Sequence, residues 1–145
     1  MNALIICGDH FRHRYMLEPV FKKFKKIKCI IMKRESQIKG KKTAVLNKNE
    51  RRLLSKHFKL RYQKETKFFG TKTIYDLISN KNILETNQKN LNSRKTINYI
   101  QKFKPSVCFL MGPNLLSNRL IKVLPKNTFN IHLGLSPWYR GSATL

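Results

Sequence analysis

The chain has 145 residues, 41% of them hydrophobic, so it is long and apolar enough to form one packed domain. No apolar run approaches the roughly 20 residues of a membrane span, and no signal-peptide pattern begins the chain, so we expect a cytoplasmic protein with no membrane partner. The 31 Lys and Arg against 7 Asp and Glu give a formal net charge of +24, which would attract polyanions. Alternatively, the lysines reflect a composition that is rich in Lys, Asn and Ile throughout.

Three cysteines each lie in an apolar run, and none belongs to a Cys-x-x-Cys pair: Cys7, Cys29 and Cys108. Their odd number and their surroundings predict buried, reduced thiols. The first run, Ala3–Cys7, predicts a central parallel strand that is covered on both faces. Gly8 and Asp9 close it without a Gly-x-Gly-x-x-Gly pattern, so a dinucleotide fingerprint is absent.

Helical spacing of apolar residues next predicts a helix over Tyr15–Lys26, with these residues on one face: Leu17, Val20, Phe21 and Phe24. Pro19 must lie near its first turn or kink it. Arg12 and His13 stand in the turn before this helix, where α/β sheets bind ligands, and are candidates for substrate binding.

A metal site can also be considered at this turn, since Cys7, His10 and His13 lie close in the sequence. The set lacks a fourth ligand and sits on a turn, so coincidence is the better explanation. We therefore expect no metal.

The next stretch is strongly basic. A second strand is predicted over Lys28–Met32, a loop over Lys33–Lys42 and a helix over Lys48–Tyr62. Between Lys33 and Lys72 there are 14 Lys and Arg against three Glu, interleaved with aromatic residues. This pattern fits a nucleic-acid surface. The helical period favours the simpler interpretation, in which the aromatic residues are core and the cations face water.

The second half alternates further strands and helices. Ile74–Ile78 predicts a short helix and Ile83–Leu84 a short strand, followed by an Asn-rich loop to Asn92. The later elements are a helix capped by Ser93 and ended by Pro105, a buried strand over Val107–Met111 and a further helix over Leu115–Leu124. This alternation predicts an open, mostly parallel, doubly wound Rossmann-like α/β sheet.

The last predicted strand, Thr128–His132, carries two side chains that are suited to catalysis. Asn130 and His132 are two residues apart, so both face one side of the strand. An amide can stabilise a developing oxyanion, and an imidazole can move a proton near neutral pH. The alternative is that this Asn and this His are buried in the core, where their polar groups have hydrogen-bond partners.

The residues from Asn130 onward resemble the signature of the folate-dependent formyltransferases. That family reads Asn-x-His-x-Ser-Leu-Leu-Pro-x-x-Arg-Gly and includes methionyl-tRNA, glycinamide ribonucleotide and amino-sugar formyltransferases. This chain reads Asn130-x-His132-x-Gly134-Leu135-Ser136-Pro137-x-x-Arg140-Gly141 at the same spacing. Gly134 and Ser136 depart from the pattern.

The resemblance implies transfer of a formyl group from 10-formyltetrahydrofolate to a primary amine, with Asn130 and His132 as catalytic residues. It implies that folate binds at two loops, formed by Met111, Gly112, Pro113 and Asn114 and by Leu133, Gly134, Leu135, Ser136 and Pro137. Arg12, His13 and Arg140 would bind the acceptor. That acceptor is a small amine, such as an anionic nucleotide sugar, or methionyl-tRNA.

The family also has an Asp on a later loop, and no residue of this chain matches it. We therefore expect residues 1–145 to form an incomplete N-terminal formyltransferase domain, truncated at its C-terminal end and inactive alone. Two other functions stay open. One is an inactive, truncated domain that still binds folate. The other is a small, basic nucleic-acid-binding module.

Overall fold

Five parallel strands form one sheet in the computed structural model, which describes residues 1–33 and 46–132. In chain order the strands are β1 (Asn2–Gly8), β2 (Lys26–Met32), β3 (Ile83–Thr86), β4 (Val107–Met111) and β5 (Thr128–Ile131). The helices are α1 (Phe11–Lys23), α2 (Lys48–Phe69), α3 (Arg94–Phe103) and α4 (Asn118–Ile121). Two short 3-10 turns, Ile74–Asp76 and Asn80–Asn82, precede β3.

The sheet has the order β3-β2-β1-β4-β5, so β1 lies at its centre. Side chains of β1 alternate between two apolar clusters because successive residues of a strand point to opposite faces. Leu4 and Ile6 pack with Ile100 of α3 on one face, which we call the α3 face. Ile5 packs with Leu17 of α1 on the other, the α1 face. The expected doubly wound α/β sheet is therefore confirmed.

Helix α1 begins four residues earlier than its apolar period predicts. His10 caps it, since its Nδ1 accepts a hydrogen bond from the backbone N–H of Arg12 at 3.3 Å. The helix ends at Lys23 because β2 already starts at Lys26. Pro19 lies inside the helix and not in its first turn, so the first of the two expected alternatives is wrong.

The second helix forms as predicted but is longer, and the prediction that its aromatic residues belong to the core is wrong. Asn47 and Glu50 form a capping box at the start of α2, which then continues seven residues past Tyr62 to Phe69. No residue of α2 is buried. Tyr62 and Phe68 are 59% and 71% exposed. The helix packs along α1, and because none of its residues is buried, its aromatic residues are not core.

In the second half, β3, α3 and β4 form where they were expected. Ser93 caps α3 as predicted, through a hydrogen bond from the backbone N–H of Thr96. The predicted helix over Leu115–Leu124 is reduced to the four residues of α4. Ser117 caps that helix, so the chain before it is a loop in which Leu115 is 93% exposed.

The three cysteines are buried and form no disulfide, as predicted. Burial raises the pKa of Cys108 to about 12, and burial together with the charge of Asp9 raises that of Cys7 to about 12. The expected loop over Lys33–Lys42 lies almost wholly outside the described residues. In the described part of the chain, no helix is both long and apolar enough to cross a membrane.

A cluster of charged side chains holds α2 against the start of α1. One Glu65 oxygen accepts hydrogen bonds from Arg12 at 3.1 Å and from Arg61 at 2.9 Å. The other oxygen lies 3.3 Å from Nε2 of His10. Rings of Phe11 and Tyr62 pack edge to face beside this cluster, 5.8 Å apart. The contact between the two helices thus combines one carboxylate, three nitrogen partners and aromatic packing.

Opposing effects act on the Glu65 carboxyl. Burial raises its pKa, but the hydrogen bond from Arg61 and the charges of Arg12, Arg61 and His10 outweigh burial and hold the pKa below its ordinary value. The unfolded chain therefore takes up this proton at a higher pH than the folded chain does. The stability that Glu65 contributes is present above the ordinary carboxyl pKa and is lost as the pH falls through the folded value.

We predict that Glu65→Gln lowers the free energy of unfolding at pH 7 by about 1–3 kcal/mol, because two guanidinium groups lose their charged partner. The deficit relative to the wild type should shrink as the pH falls below about 4. Urea unfolding from pH 7 to pH 3 measures this. Glu18→Gln is the control and should cost less, since Glu18 pairs only within α1, with Arg14 and the exposed Lys22, and does not join two helices. A deficit for Glu65→Gln that is independent of pH would contradict this assignment.

Candidate functional site

All five strands are parallel, so their carboxyl ends meet at one edge of the sheet. The chain leaves β1 to form β2 and β3 on one side and later returns to form β4 and β5 on the other. The loops that follow β1 and β4 therefore diverge at this edge, which is where open α/β sheets bind ligands. The loop after β1 begins at Asp9, and the loop after β4 begins at Gly112.

A cavity of about 590 Å³ lies along the edge strand β5, between the turn before that strand, helix α4 and the loop after β4, and it reaches the carboxyl edge of the sheet at Gly112. Its apolar wall is formed by Leu110, Leu115, Leu116, Ile121 and Leu124. The remaining lining residues are Gly112, Pro113, Asn114, Pro125, Lys126, Thr128 and Asn130. This size and a mostly apolar lining with a few polar groups are typical of small-molecule sites.

The register of β5 puts Asn130 on the cavity wall. Asn130 pairs with Leu110 of β4, and both residues line the cavity. The neighbouring Phe129 points to the other face, where its ring stacks on Phe109 with 5.8 Å between centroids. The Thr128 hydroxyl donates to the carbonyl of Pro125 at 2.6 Å, which ties the start of the strand to its preceding turn. The cavity thus holds an exposed amide on a short paired strand.

His132 follows directly after β5 and is exposed. The described residues that line the cavity include Asn130 but not His132. Thr128 and Asn130 both line the cavity, and an extended backbone that continued this alternation would bring His132 to the same side.

The loop after β4 contains three of the nine predicted folate residues. Gly112, Pro113 and Asn114 line the cavity, whereas the side chain of Met111 is buried in the cluster on the α1 face. Gly112 has φ of 63°, a conformation that favours glycine and turns the chain sharply as it leaves the strand. The predicted residues Leu133, Gly134, Leu135, Ser136, Pro137 and Arg140 lie outside the described residues.

The two candidates in the first turn are not among the described residues that line this cavity. The guanidinium of Arg12 binds Glu65 of α2. His13 is 4% exposed and packs under Gly8, where an added Cβ would lie 2.8 Å from its Cε1. Gly8 therefore leaves the space that this buried ring fills. Within residues 1–33 and 46–132, no group of three or more His, Cys, Asp or Glu side chains is arranged to hold a metal ion.

Sequence reasoning missed Asn92, which fixes the loop that forms the cavity wall. Its side-chain amide donates to the carbonyl of Leu115 at 3.0 Å and accepts from the backbone N–H of Ser117 at 2.8 Å. Asn92 thus holds both ends of a three-residue stretch just before α4. No local pattern reveals this role, because the bonded groups are 23 and 25 residues away in sequence.

Comparison with known proteins gives one partial similarity. The chain is 38% identical over 58 residues to the bifunctional polymyxin resistance protein ArnA of Wigglesworthia glossinidia brevipalpis. The aligned segment is 39% of this chain and spans 9% of the length of that relative. No protein-family model matches the chain, and no solved structure matches it.

We predict that Asn92→Ala destabilises the protein by about 1–3 kcal/mol and loosens the loop before α4, because a backbone donor and a backbone acceptor lose their partner. Hydrogen exchange should accelerate at the backbone amide of Ser117 more than at amides of β1. Gln88→Ala, at an exposed position in the same segment, is the control. Unchanged exchange at Ser117 would show that Asn92 does not hold the loop.

Proposed function

We propose that the chain is the folate-facing part of a formyltransferase that moves a formyl group from 10-formyltetrahydrofolate to a primary amine. The observation that carries the proposal is the placement of Asn130, whose amide lies on the wall of an apolar cavity at the carboxyl edge of the sheet. The Asn-x-His pattern of the sequence supports it. The similarity to ArnA supports this family loosely.

The cavity suits the ring system of a reduced folate. Its volume of about 590 Å³ falls within the range of small-molecule sites. Leu116, Ile121 and Leu124 offer an apolar wall for a flat ring, and Asn114 and Asn130 supply amide groups that can orient its polar edge. Lys126 also lines the cavity and provides a positive charge for the carboxylates of the folate tail.

When bound, 10-formyltetrahydrofolate would supply an activated formyl group. Asn130 would donate a hydrogen bond from its amide to the formyl oxygen and stabilise the negative charge that develops there. His132 would accept a proton from the attacking amine and return it to N10 of the folate as the bond between N10 and the formyl carbon breaks, since an imidazole can exchange protons near neutral pH. The short pairing of β5 with β4 holds the Asn130 backbone in place before the substrate arrives.

The acceptor that we propose first is a small anionic amine such as an amino sugar linked to a nucleotide. The net charge of +24 favours an anionic substrate over a neutral one. Methionyl-tRNA is the second candidate on the same ground. Assays with a nucleotide-linked amino sugar and with methionyl-tRNA distinguish the two. In a complete enzyme that contains this chain, folate binding without turnover on either acceptor would favour an inactive, folate-binding domain.

We predict that Leu115→Asp weakens binding of 5-formyltetrahydrofolate at least tenfold in calorimetry, because a carboxylate then stands on the apolar wall of the cavity. Leu115 is 93% exposed, so the change should leave the fold intact. The control is Leu53→Asp on α2, which is 69% exposed and distant from the cavity. Equal affinity of the wild type and Leu115→Asp would mean that the folate does not bind there.

We predict that, in a complete enzyme that contains this chain, Asn130→Ala lowers kcat for formyl transfer about 100- to 1000-fold, the usual effect of losing one oxyanion donor. The KM for the folate should change much less. Because Asn130 is exposed, the melting temperature should stay within a few degrees of the wild type. Asn127→Ala, at an exposed position just before the same strand, is the matched control. Retained turnover in Asn130→Ala would refute the role of this amide, whether or not folate binds.

A further inference from the structure

Asp9 differs from every other acidic residue in the described part of the chain. Within residues 1–33 and 46–132, its carboxylate accepts no hydrogen bond and forms no ion pair. The other acidic side chains of these ranges are each held by a hydrogen bond or an ion pair: Glu18, Glu50, Glu65, Asp76 and Glu85. Asp9 is also half-buried, so its carboxylate has lost part of its water without gaining a partner. A ligand with hydrogen-bond donors would supply what this carboxylate lacks.

The position of Asp9 is the carboxyl edge at the centre of the sheet. Cys7 of β1 pairs with Met111 of β4, which pairs with Ile131 of β5. The residues that directly follow these three strands are therefore neighbours at the edge: Asp9, Gly112 and His132. Adjacent strands lie about 4.8 Å apart, so the backbones that follow β1 and β5 are about 10 Å apart. The residue between them is a glycine, which leaves room for a small ligand between the carboxylate and the residues of β5.

The phenol of Tyr75 is a second polar group near Asp9. Its hydroxyl donates a hydrogen bond to Glu85 of β3 at 2.7 Å, and its oxygen can still accept one. Burial raises the pKa of Tyr75 most, followed by the hydrogen bond to Glu85 and by the charges of Glu85 and Asp9, so Asp9 lies close enough to act on this phenol. Lys33 neutralises Glu85, with Nζ 2.7 Å from its Oε2. Asp9 and Tyr75 thus present hydrogen-bond acceptors, and Asp9 carries the charge that no cation of this edge balances.

We propose that Asp9 binds hydroxyl groups of the acceptor and thereby selects an amino sugar, an inference that rests on the proposed formyl transfer. The reacting amine is not the group that Asp9 holds, because a nearby carboxylate favours the protonated ammonium, which cannot attack. Asn130, which would stabilise the oxyanion, also lies two strands away. The anionic end of the acceptor is repelled by a carboxylate. The groups that remain in a nucleotide-linked amino sugar are the ring hydroxyls, which are neutral donors.

The same carboxylate disfavours methionyl-tRNA as the acceptor. Beside its amine, that molecule has a thioether side chain and an ester, and neither can donate a hydrogen bond. Bound there, it would exclude water from Asp9 and leave the carboxylate without a donor, which costs free energy. Sites that pair their polar groups with hydroxyls of one substrate reject substrates that lack those hydroxyls. Asp9 therefore separates the two acceptors that the net charge of the chain does not distinguish.

Calorimetry on the 145-residue protein tests this without folate and without turnover. The ligands are UDP-glucosamine, UDP and the 2-aminoethyl ester of UDP, which keeps an amine but lacks the sugar hydroxyls. The wild type should bind UDP-glucosamine at least about tenfold more tightly than the aminoethyl ester, because hydrogen bonds to a charged group are among the stronger ones. Asp9→Ala should reduce this preference to less than about threefold. Asp9→Asn should retain part of it, since the amide oxygen still accepts a hydrogen bond.

The matched control is Glu18→Gln, which also removes one negative charge and lies on α1, where Glu18 pairs with Arg14 and Lys22. It should leave the preference for UDP-glucosamine unchanged. The sign of the effect separates hydrogen bonding from general electrostatics. All three ligands are anionic, so the loss of a negative charge alone should tighten their binding. Weaker binding of UDP-glucosamine alone in Asp9→Ala therefore reports lost hydrogen bonds. Circular dichroism confirms that each variant is folded.

A complete enzyme that contains this chain provides a second measurement. Asp9→Ala should raise the KM for the amino sugar about tenfold, with a much smaller change in kcat, because Asp9 binds the acceptor and does not touch the reacting atoms. The Kd for 5-formyltetrahydrofolate should stay unchanged, since Asp9 is not among the described residues that line the cavity.

Three results would overturn the proposal. Equal affinity of the wild type for UDP-glucosamine and the aminoethyl ester, or no binding of either, would mean that the edge does not recognise sugar hydroxyls. A preference that survives in Asp9→Ala would assign the recognition to another residue. Weaker binding of all three ligands in Asp9→Ala would mean that Asp9 supports the loop and not the sugar. A failure of the proposed function looks different, because it is an absence of formyl transfer by the complete enzyme whatever the residue at position 9.

Discussion

The pairing of β1 with β2 on one side and β4 on the other is the interaction on which the rest of the structure depends. Seven residues of β1 pair in register with β2 and five with β4, all parallel. This pairing buries the strand on both faces and brings the loops after β1 and β4 to one edge of the sheet. The cavity beside the β4 loop depends on that arrangement, since β5, which carries Asn130, pairs with β4, and β4 pairs with β1 on its other side.

Local patterns in the sequence predicted the elements whose stability is decided locally or by complete burial. Val107–Met111 was identified to the residue because an unbroken apolar run has no other suitable environment. The start of α3 followed from Ser93, whose hydroxyl caps the helix within three residues. Of the candidate site, the part on or next to strands was predictable: Asn130 and the loop from Gly112 to Asn114 lie on the cavity wall.

The remaining features depend on partners that are distant in sequence. Asn92 lies in a polar loop, and only the folded chain brings it to the loop before α4. In the sequence, Glu65 does not differ from any other charged residue of a solvent-exposed helix, yet it accepts hydrogen bonds from side chains of two helices. The aromatic residues of α2 have a helical period but too little neighbouring protein to bury them. Periodicity predicts a helix and its apolar side, but it does not reveal how much surface that side will meet.

The three buried thiols have a practical consequence. Cys7, Cys29 and Cys108 lie on three adjacent central strands, and burial raises the pKa of each, so very little thiolate forms at neutral pH in the folded chain. A thiol reagent reaches them only when the sheet opens. Their rate of alkylation therefore reports how often the centre of this sheet opens under native conditions, without any engineered probe.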